Sequence, residues 1–365
     1  MMRFVFEKRQ AVSRQALVLA PVGSFFVSLL LGAVLLLASK VNPLTTYAAM
    51  AHGAFGSWYN FSETLVKAVP LMLTGLGVSI AFKMRFWNIG AEGQLVWGGV
   101  AAAWVIIFLA DVIPPWLLLP VALLLGVVGG ALWAGGPAVL KATLGVDETL
   151  TTLLLNYVAI LFSQYLYYGP WRDPEGYGFP GTVQFPQFAW LPRLGGTRAH
   201  VGLIFAIVAA LILWFILNRT RWGFELQIIG ENQTAARYLG INISRHIIWA
   251  MLLSGALSGL AGACEVTGIS RRLQQGLSLG YGYTAIIVAW LAQLNPIAVL
   301  CVAILMGALL VGGDQVQIMM GLPASVGLVL QGMLLFPMLA GGLFTEYRLR
   351  IIRAEKAAPL AEVQP

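Results

Sequence analysis

The sequence predicts an all-α polytopic membrane protein of about ten transmembrane helices, some broken or short. Only 10 % of the 365 residues are charged, against about 25 % in soluble domains. Hydrophobic residue types make up 59 %, and the mean hydropathy is +0.82. Apolar runs of spanning length recur along the chain. So small a charged inventory cannot coat a water-soluble surface, which excludes a soluble enzyme.

The first run, about Ala16 to Ala38, follows a basic leader holding Arg3, Lys8, Arg9 and Arg14. Its length of roughly 23 residues exceeds the apolar region of a signal peptide, and no small-x-small cleavage site follows. It reads as a retained span. Further runs cover about 63–82, 90–110, 116–140, 148–168, 201–218, 246–267, 283–294, 297–312 and 324–343. The run at 283–294 is short, because about 12 residues rise only ~18 Å against a hydrocarbon core of ~30 Å. It predicts a half-helix, or a span completed by the glycine-rich stretch before it.

Charge placement sets the expected orientation. With the N-terminus inside, the inner segments hold the four leader residues, Lys83, Arg85, Lys141, Arg219, Arg221, Arg237, Arg245, Arg348, Arg350, Arg353 and Lys356. That is fifteen of the 22 Lys and Arg residues. This bias and an even span count place both termini in the cytoplasm. The +7 net charge is then an orientation signal and not a nucleic-acid patch. Residues 1–345 read as one transmembrane domain and 346–365 as a basic cytoplasmic tail, solvated from Ala354 to Pro365.

Two connections are long. Residues 169–200 carry Pro170, Pro174, Pro180, Pro186 and Pro192 with interleaved aromatics, a pattern that prevents a helix and suits the membrane interface. This extracytoplasmic loop is either a platform for a partner or a cover lying on the bilayer. Residues 219–245 form a cytoplasmic loop too long for a bare connector. A short helix from about Asn232 to Tyr238, stopped by Gly240, is expected there as a docking lever.

Polar groups at membrane depth point to function, since each charge there is costly. Asn88, Glu92 and Gln94 lie in the glycine-interrupted stretch Phe86–Gln94. Such a broken helix is tolerated only beside protein or a water-filled cavity, so the stretch lines a pathway, acts as a hinge, or lies at the interface. Glu148, Thr152 and Asn156, four apart, form one polar stripe, read equally as substrate contact or as helix–helix bonding. Gly280 to Thr284 echoes the first broken stretch and enters the short run, as paired interrupted helices do in transporters. The spacings Gly126/Gly130 and Gly255/Gly259 suit close helix packing. Lys67 is expected to snorkel to the outer interface.

No catalytic apparatus is visible. No Gly-Lys pair exists, so there is no phosphate-binding loop of the Walker type. Cys264 and Cys301 lie in apolar runs and support neither a disulfide framework nor a metal cluster. His52, His200 and His246 read as solvated or interfacial. No metal or cofactor is expected.

The run Asn88-Ile-Gly-Ala-Glu92-Gly-Gln94, with Gly145-Val-Asp-Glu-Thr-Leu-Thr-Thr-Leu-Leu-Leu-Asn156-Tyr157 and Gly280-Tyr-Gly-Tyr-Thr284, resembles a permease family. That family serves ABC importers of ribose, branched-chain amino acids and nucleosides, and the likeness runs from about residue 60 to 343. The first two segments are most similar to its nucleoside (simple-sugar-type) branch. The resemblance implies a non-enzymatic permease subunit in a bacterial inner membrane, paired with a copy of itself or a second permease. A cytoplasmic ATPase with two fused cassettes would bind beneath, and an extracytoplasmic binding lipoprotein would deliver substrate. The coupling segment would be Gly230, Glu231, Ala235, Ala236, Gly240 and Ile241. Asn88, Gln94 and Asn156 are expected to line a nucleoside path, with Glu92, Thr152 and Thr284 beside it and Trp87 and Tyr157 stacking on a base. The long proline-rich loop 169–200 departs from the family pattern. Alternatives are the same machine carrying a pentose, another simple sugar or a branched-chain amino acid, and an ATPase-independent secondary carrier titrating Glu92.

Overall fold

The computed structural model describes residues 2–8, 14–321 and 323–353. They form β1 (Met2–Lys8), α1 (Arg14–Ala38), α2 (Pro43–Phe55), α3 (Trp58–Lys83), α4 (Ala91–Leu109), α5 (Pro115–Leu144), α6 (Glu148–Tyr168), α7 (Gly202–Arg219), α8 (Arg221–Glu231), α9 (Gln233–Tyr238), α10 (Ile243–Cys264), α11 (Tyr281–Leu291), α12 (Pro296–Met320), α13 (Ala324–Glu346) and β2 (Tyr347–Arg353). A single 3₁₀ turn covers Gln187–Ala189, and α10 runs on as a π turn over Glu265–Ser270.

Each of the ten apolar runs carries a helix. Seven are long and apolar enough to cross a membrane: α3, α4, α5, α6, α7, α10 with its π turn, and α12. The segments Gly23–Ala38 and α2, counted together, make an eighth. At 11 residues, α11 is the expected half-helix.

The described chain divides into two compact units. In one, α1 packs along α13 and β1 pairs antiparallel with β2, from Met2 opposite Arg353 to Lys8 opposite Tyr347. Residues 347–353 of the expected basic tail are therefore strand, as their alternation of basic and aliphatic types permits. Residues 354–365 lie outside the described residues.

The second unit, residues 45–322, is built around α3. Ser57 caps α3 by accepting the Asn60 N–H at 3.0 Å, and nearly every residue from Val66 to Phe82 is buried. A helix apolar on all faces belongs at the centre of a bundle. The helices α7, α10, α11 and α12 surround it, and α4 and α5 pack on α10. The glycine spacings explain that second contact. A Cβ on Gly130 would overlap the Gly255 carbonyl, and one on Gly259 the Gly126 carbonyl. Backbones approach this closely only where side chains are absent.

The loop after α6 is pinned to the π turn and the chain that follows it. Thr182 N–H donates to the Leu273 carbonyl at 2.9 Å, Phe185 N–H to Arg271 at 2.8 Å, and Leu191 N–H to Thr267 at 3.1 Å. The Arg271 guanidinium lies 3.7 Å above the Trp190 ring. Beneath, Phe185 and Ala189 join Leu273, Leu277 and the ends of α4 and α5 in one apolar core.

Two helices, α2 and α8, were not expected. Within α8 stand Gly223 and Gly230, a residue type that ordinarily weakens a helix. Both are packing glycines instead: a Cβ would strike the Leu217 carbonyl from Gly223 and the Lys83 carbonyl from Gly230. Thr220 caps α8 through Gly223 N–H at 3.3 Å, and Arg221 pairs with Glu225 at 2.8 Å one turn on.

Candidate substrate path and coupling face

Between α3 and α4 the chain runs non-helically from Met84 to Gly90, and its polar groups need partners at membrane depth. The polar stripe of α6 supplies them. Asn156 Oδ1 accepts the Gly93 N–H at 2.8 Å, and its Nδ2 donates to the Ile89 carbonyl at 2.8 Å and the Tyr283 hydroxyl at 3.2 Å. Thr152 Oγ1 accepts the Ile89 N–H at 3.2 Å. Asn88 and Gln94 pair through their amides, and Asn88 Nδ2 reaches Ser254 Oγ at 3.0 Å on α10. Below Thr152, Glu148 forms a 2.6 Å ion pair with Lys141 across the α5–α6 turn.

Glu92 closes the same node on its other side. One carboxylate oxygen accepts the Ser278 hydroxyl and the Gly280 N–H at 3.0 Å, and the other accepts the Gly282 N–H at 2.6 Å. These N–H groups open α11, so a carboxylate from α4 caps the half-helix, where the positive end of its dipole favours an anion. Gly280, at φ +82°, makes the turn into α11, and a Cβ on Gly282 would overlap the Glu92 backbone. The two glycine-broken stretches thus meet each other.

The expected path residues separate into two groups. Asn88, Glu92, Gln94, Thr152 and Asn156 are buried, Glu92 being 2 % exposed. Their hydrogen bonds are spent on holding broken backbone, so in this single chain they line no open surface. Thr284 is half-buried in the first turn of α11. Trp87 and Tyr157, by contrast, are 46 % and 57 % exposed. They belong to an aromatic face that the sequence reading only partly found. Trp290 lies 5.8 Å from Trp87 between ring centroids, Tyr283 is exposed beside Asn156, and the Tyr168 hydroxyl donates to Gln275 at 3.1 Å further along. Trp290 was hidden in a run that reads as apolar helix, and Tyr283, though inside the broken stretch Gly280–Thr284, was not singled out.

The segment expected to couple forms at the opposite end of α10 from the π turn. Asn232 Oδ1 caps α9, accepting from Thr234 N–H at 2.9 Å and Ala235 N–H at 3.1 Å. Gly240, at φ +74°, ends the turn, and Ile241 N–H returns to the Ala236 carbonyl at 3.0 Å. Ala236 and Gly230 are buried within the chain and Ala235 is half-buried, whereas Glu231, Tyr238 and Leu239 face outward, Tyr238 at 88 % exposure. Of the segment read in the sequence, Glu231 and Gly240 are exposed and Gly230 and Ala236 are not.

Two of the three histidines are buried, against expectation. Burial lowers the His200 imidazole to about 4, and its Nδ1 accepts the Gly202 N–H at 3.1 Å. His246 bridges the Asn242 carbonyl and Glu225, each at 2.8 Å. Burial opposes ionisation of the Glu225 carboxyl, but hydrogen bonds from Arg221 and His246 overcome it and hold the pKa below the usual carboxylate range. Among the described residues, no three His, Cys, Asp or Glu side chains gather as metal ligands.

These features define a multi-pass membrane protein with paired interrupted helices and a capped lever outside the bundle. Residues 60–339 match the family described as branched-chain amino acid transport system / permease component, and the chain belongs to that family. As such it is a permease component, not an enzyme, and ATP hydrolysis falls to a separate subunit. It is similar to a glucose ABC transporter permease protein of Haloferax volcanii, 36 % identical over 91 % of this chain and 89 % of that one. A guanosine ABC transporter permease protein of Bacillus subtilis is 35 % identical over 86 % of this chain and 91 % of its own length. A nucleoside ABC transporter permease protein of Lactococcus lactis is 32 % identical over 81 % and 83 %.

Proposed function

We propose that this chain forms half of a translocation path for nucleosides in an ABC importer. The observation that carries this is the exposed aromatic face of Trp87, Trp290, Tyr283 and Tyr157. A nucleoside is neutral, with a flat base and a hydroxylated ribose. Aromatic rings stack on any base without reading its edge, at about 1–3 kcal/mol per base, which suits a path that must release what it admits. The relatives named for guanosine and nucleosides support the same cargo.

A second permease, identical or related, closes this face opposite α6 and α11. The ATPase, with two fused cassettes, docks on α9 through Tyr238. A binding lipoprotein delivers substrate to the loop over residues 169–200. Both termini and the lever are cytoplasmic, in a bacterial inner membrane. Residues 1–345 act as the permease domain, with the buried amide node and Glu92 as its fixed hinge. Alternating access follows when closure of the cassettes swings α9 and, through Gly230 packed on Lys83, the lower ends of α3 and α4.

A second reading is a simple sugar, which the glucose-named relative favours and which aromatic faces also accept. An amino acid is less suited, since no arginine belongs to the aromatic face. A secondary carrier titrating Glu92 conflicts with a carboxylate engaged by three donors. The test is uptake into proteoliposomes holding the permease, ATPase and binding protein, over a panel of nucleosides, pentoses and hexoses. ATP-dependent nucleoside uptake that falls at least tenfold in Trp87→Ala and Tyr157→Ala supports the reading. Uptake of hexose alone, or uptake without the ATPase, overturns it.

A further inference from the structure

A groove of about 670 Å³ lies between the end of α7, α8 and the start of α10. Its wall is apolar, formed by Ile216, Trp249 and Leu253 with Leu239 and Ile241 of the turn before α10, and its rim carries Arg221 and Arg245. Trp222 also lines it, so tryptophan and arginine meet where two spanning helices end. That combination marks the headgroup level of a bilayer.

Charge at the rim is positive once partners are counted. Glu225 is held by His246 and by Arg221 Nε, each at 2.8 Å. The Arg221 side chain remains 91 % exposed, and the Arg245 guanidinium has no ion-pair partner among the described residues. Above the groove, Ile204, Val208, Leu211 and Phe215 of α7 are exposed. Their spacing makes one continuous apolar stripe leading to the groove, as an acyl chain requires.

We infer that this groove binds an anionic phospholipid, its acyl chain along Ile216 and Trp249 and its headgroup phosphate between Arg221 and Arg245. A zwitterionic lipid brings the same phosphate but adds a cation beside the two guanidinia, so the anionic lipid is preferred. Through Glu225 and His246 the rim touches both α8 and α10, and the bound headgroup braces the root of the α8–α9 lever.

The experiment is native mass spectrometry of the full chain released from vesicles of equal phosphatidylglycerol and phosphatidylcholine. One phosphatidylglycerol per chain should be retained in preference. Loss of each arginine, in Arg221→Gln and Arg245→Gln, should lower retention about five-fold, the worth of one basic side chain near an anionic lipid surface. Arg221→Lys with Arg245→Lys keeps the charge and should keep most of the retention, which separates a charge effect from misfolding. A bromine-labelled phosphatidylglycerol should quench less fluorescence in Trp249→Phe than in the unaltered chain. Equal retention of the two lipids, unchanged retention in the double glutamine variant, or loss of the lipid when the ATPase binds overturns the inference.

Discussion

The Glu92 carboxylate of α4 accepts the Gly282 backbone N–H at 2.6 Å, joining positions 190 residues apart. One buried acid thus positions a half-helix that no apolar face alone would orient. Removing it leaves several backbone donors unpaired, at about 1–3 kcal/mol each. Glu92→Ala should expose residues 281–291 to rapid hydrogen exchange and reduce uptake at least tenfold. Glu92→Gln, which keeps the shape but not the charge, should lie between. Full protection of α11 in Glu92→Ala would remove the capping role.

Asn156→Leu strands the Gly93 N–H and the Ile89 carbonyl. It should lower thermal stability in detergent, by about 1–3 kcal/mol, and leave the ranking of substrates unaltered. A stable variant with an altered ranking would instead place Asn156 in contact with substrate.

Gly130→Leu should prevent α5 from seating on α10, because even a Cβ overlaps the Gly255 carbonyl. Expression as aggregated protein is expected, read by size-exclusion chromatography in mild detergent. Gly136, whose Cβ position meets nothing within 4 Å, should tolerate the same change.

On the lever, Tyr238→Asp alters outward surface away from the groove and should leave the protein folded but uncoupled. ATPase pull-down should drop at least tenfold while melting temperature holds. Ala236→Glu also abolishes uptake, for a different reason: it forces a charge beneath α9, so here the melting temperature falls too.

The His200 pKa of about 4, against about 6.5 for a free imidazole, has a signed consequence. Between those values the undocked loop takes up a proton that the docked one refuses. Loop docking therefore weakens as pH falls from about 6.5 toward about 4, by up to about 3 kcal/mol. Limited proteolysis across residues 169–200 should accelerate over that window in the unaltered chain, and His200→Gln should flatten the dependence. Equal acceleration in both would assign the change to another group.

Much of this architecture is local chemistry and was legible before the fold. Apolar runs of membrane length located all ten expected helices, and the short run at 283–294 announced the half-helix at Tyr281–Leu291. Asn232 and Gly240 bounded α9 because an asparagine cap and a left-handed glycine act within a few residues of themselves. The paired glycines of α5 and α10 signalled close approach by their spacing. Each of these signals is carried by neighbours on one helix face, so a linear reading captures it.

Partnership across the chain was not legible. Asn88, Gln94 and Asn156 look alike on paper as path-lining or packing groups, and only their placement opposite Ile89, Gly93 and Ser254 turns them into internal braces. His200 and His246 were misjudged for the same reason, since burial depends on what distant segment covers a side chain. A hydrogen bond chooses its acceptor by position in space, and a turn of helix packing away from Glu92 the backbone of Gly282 would have found another. The low charge density made this a membrane protein from the outset. The seating of α11 against α4 determined which of its polar residues hold the bundle and which aromatics stay exposed.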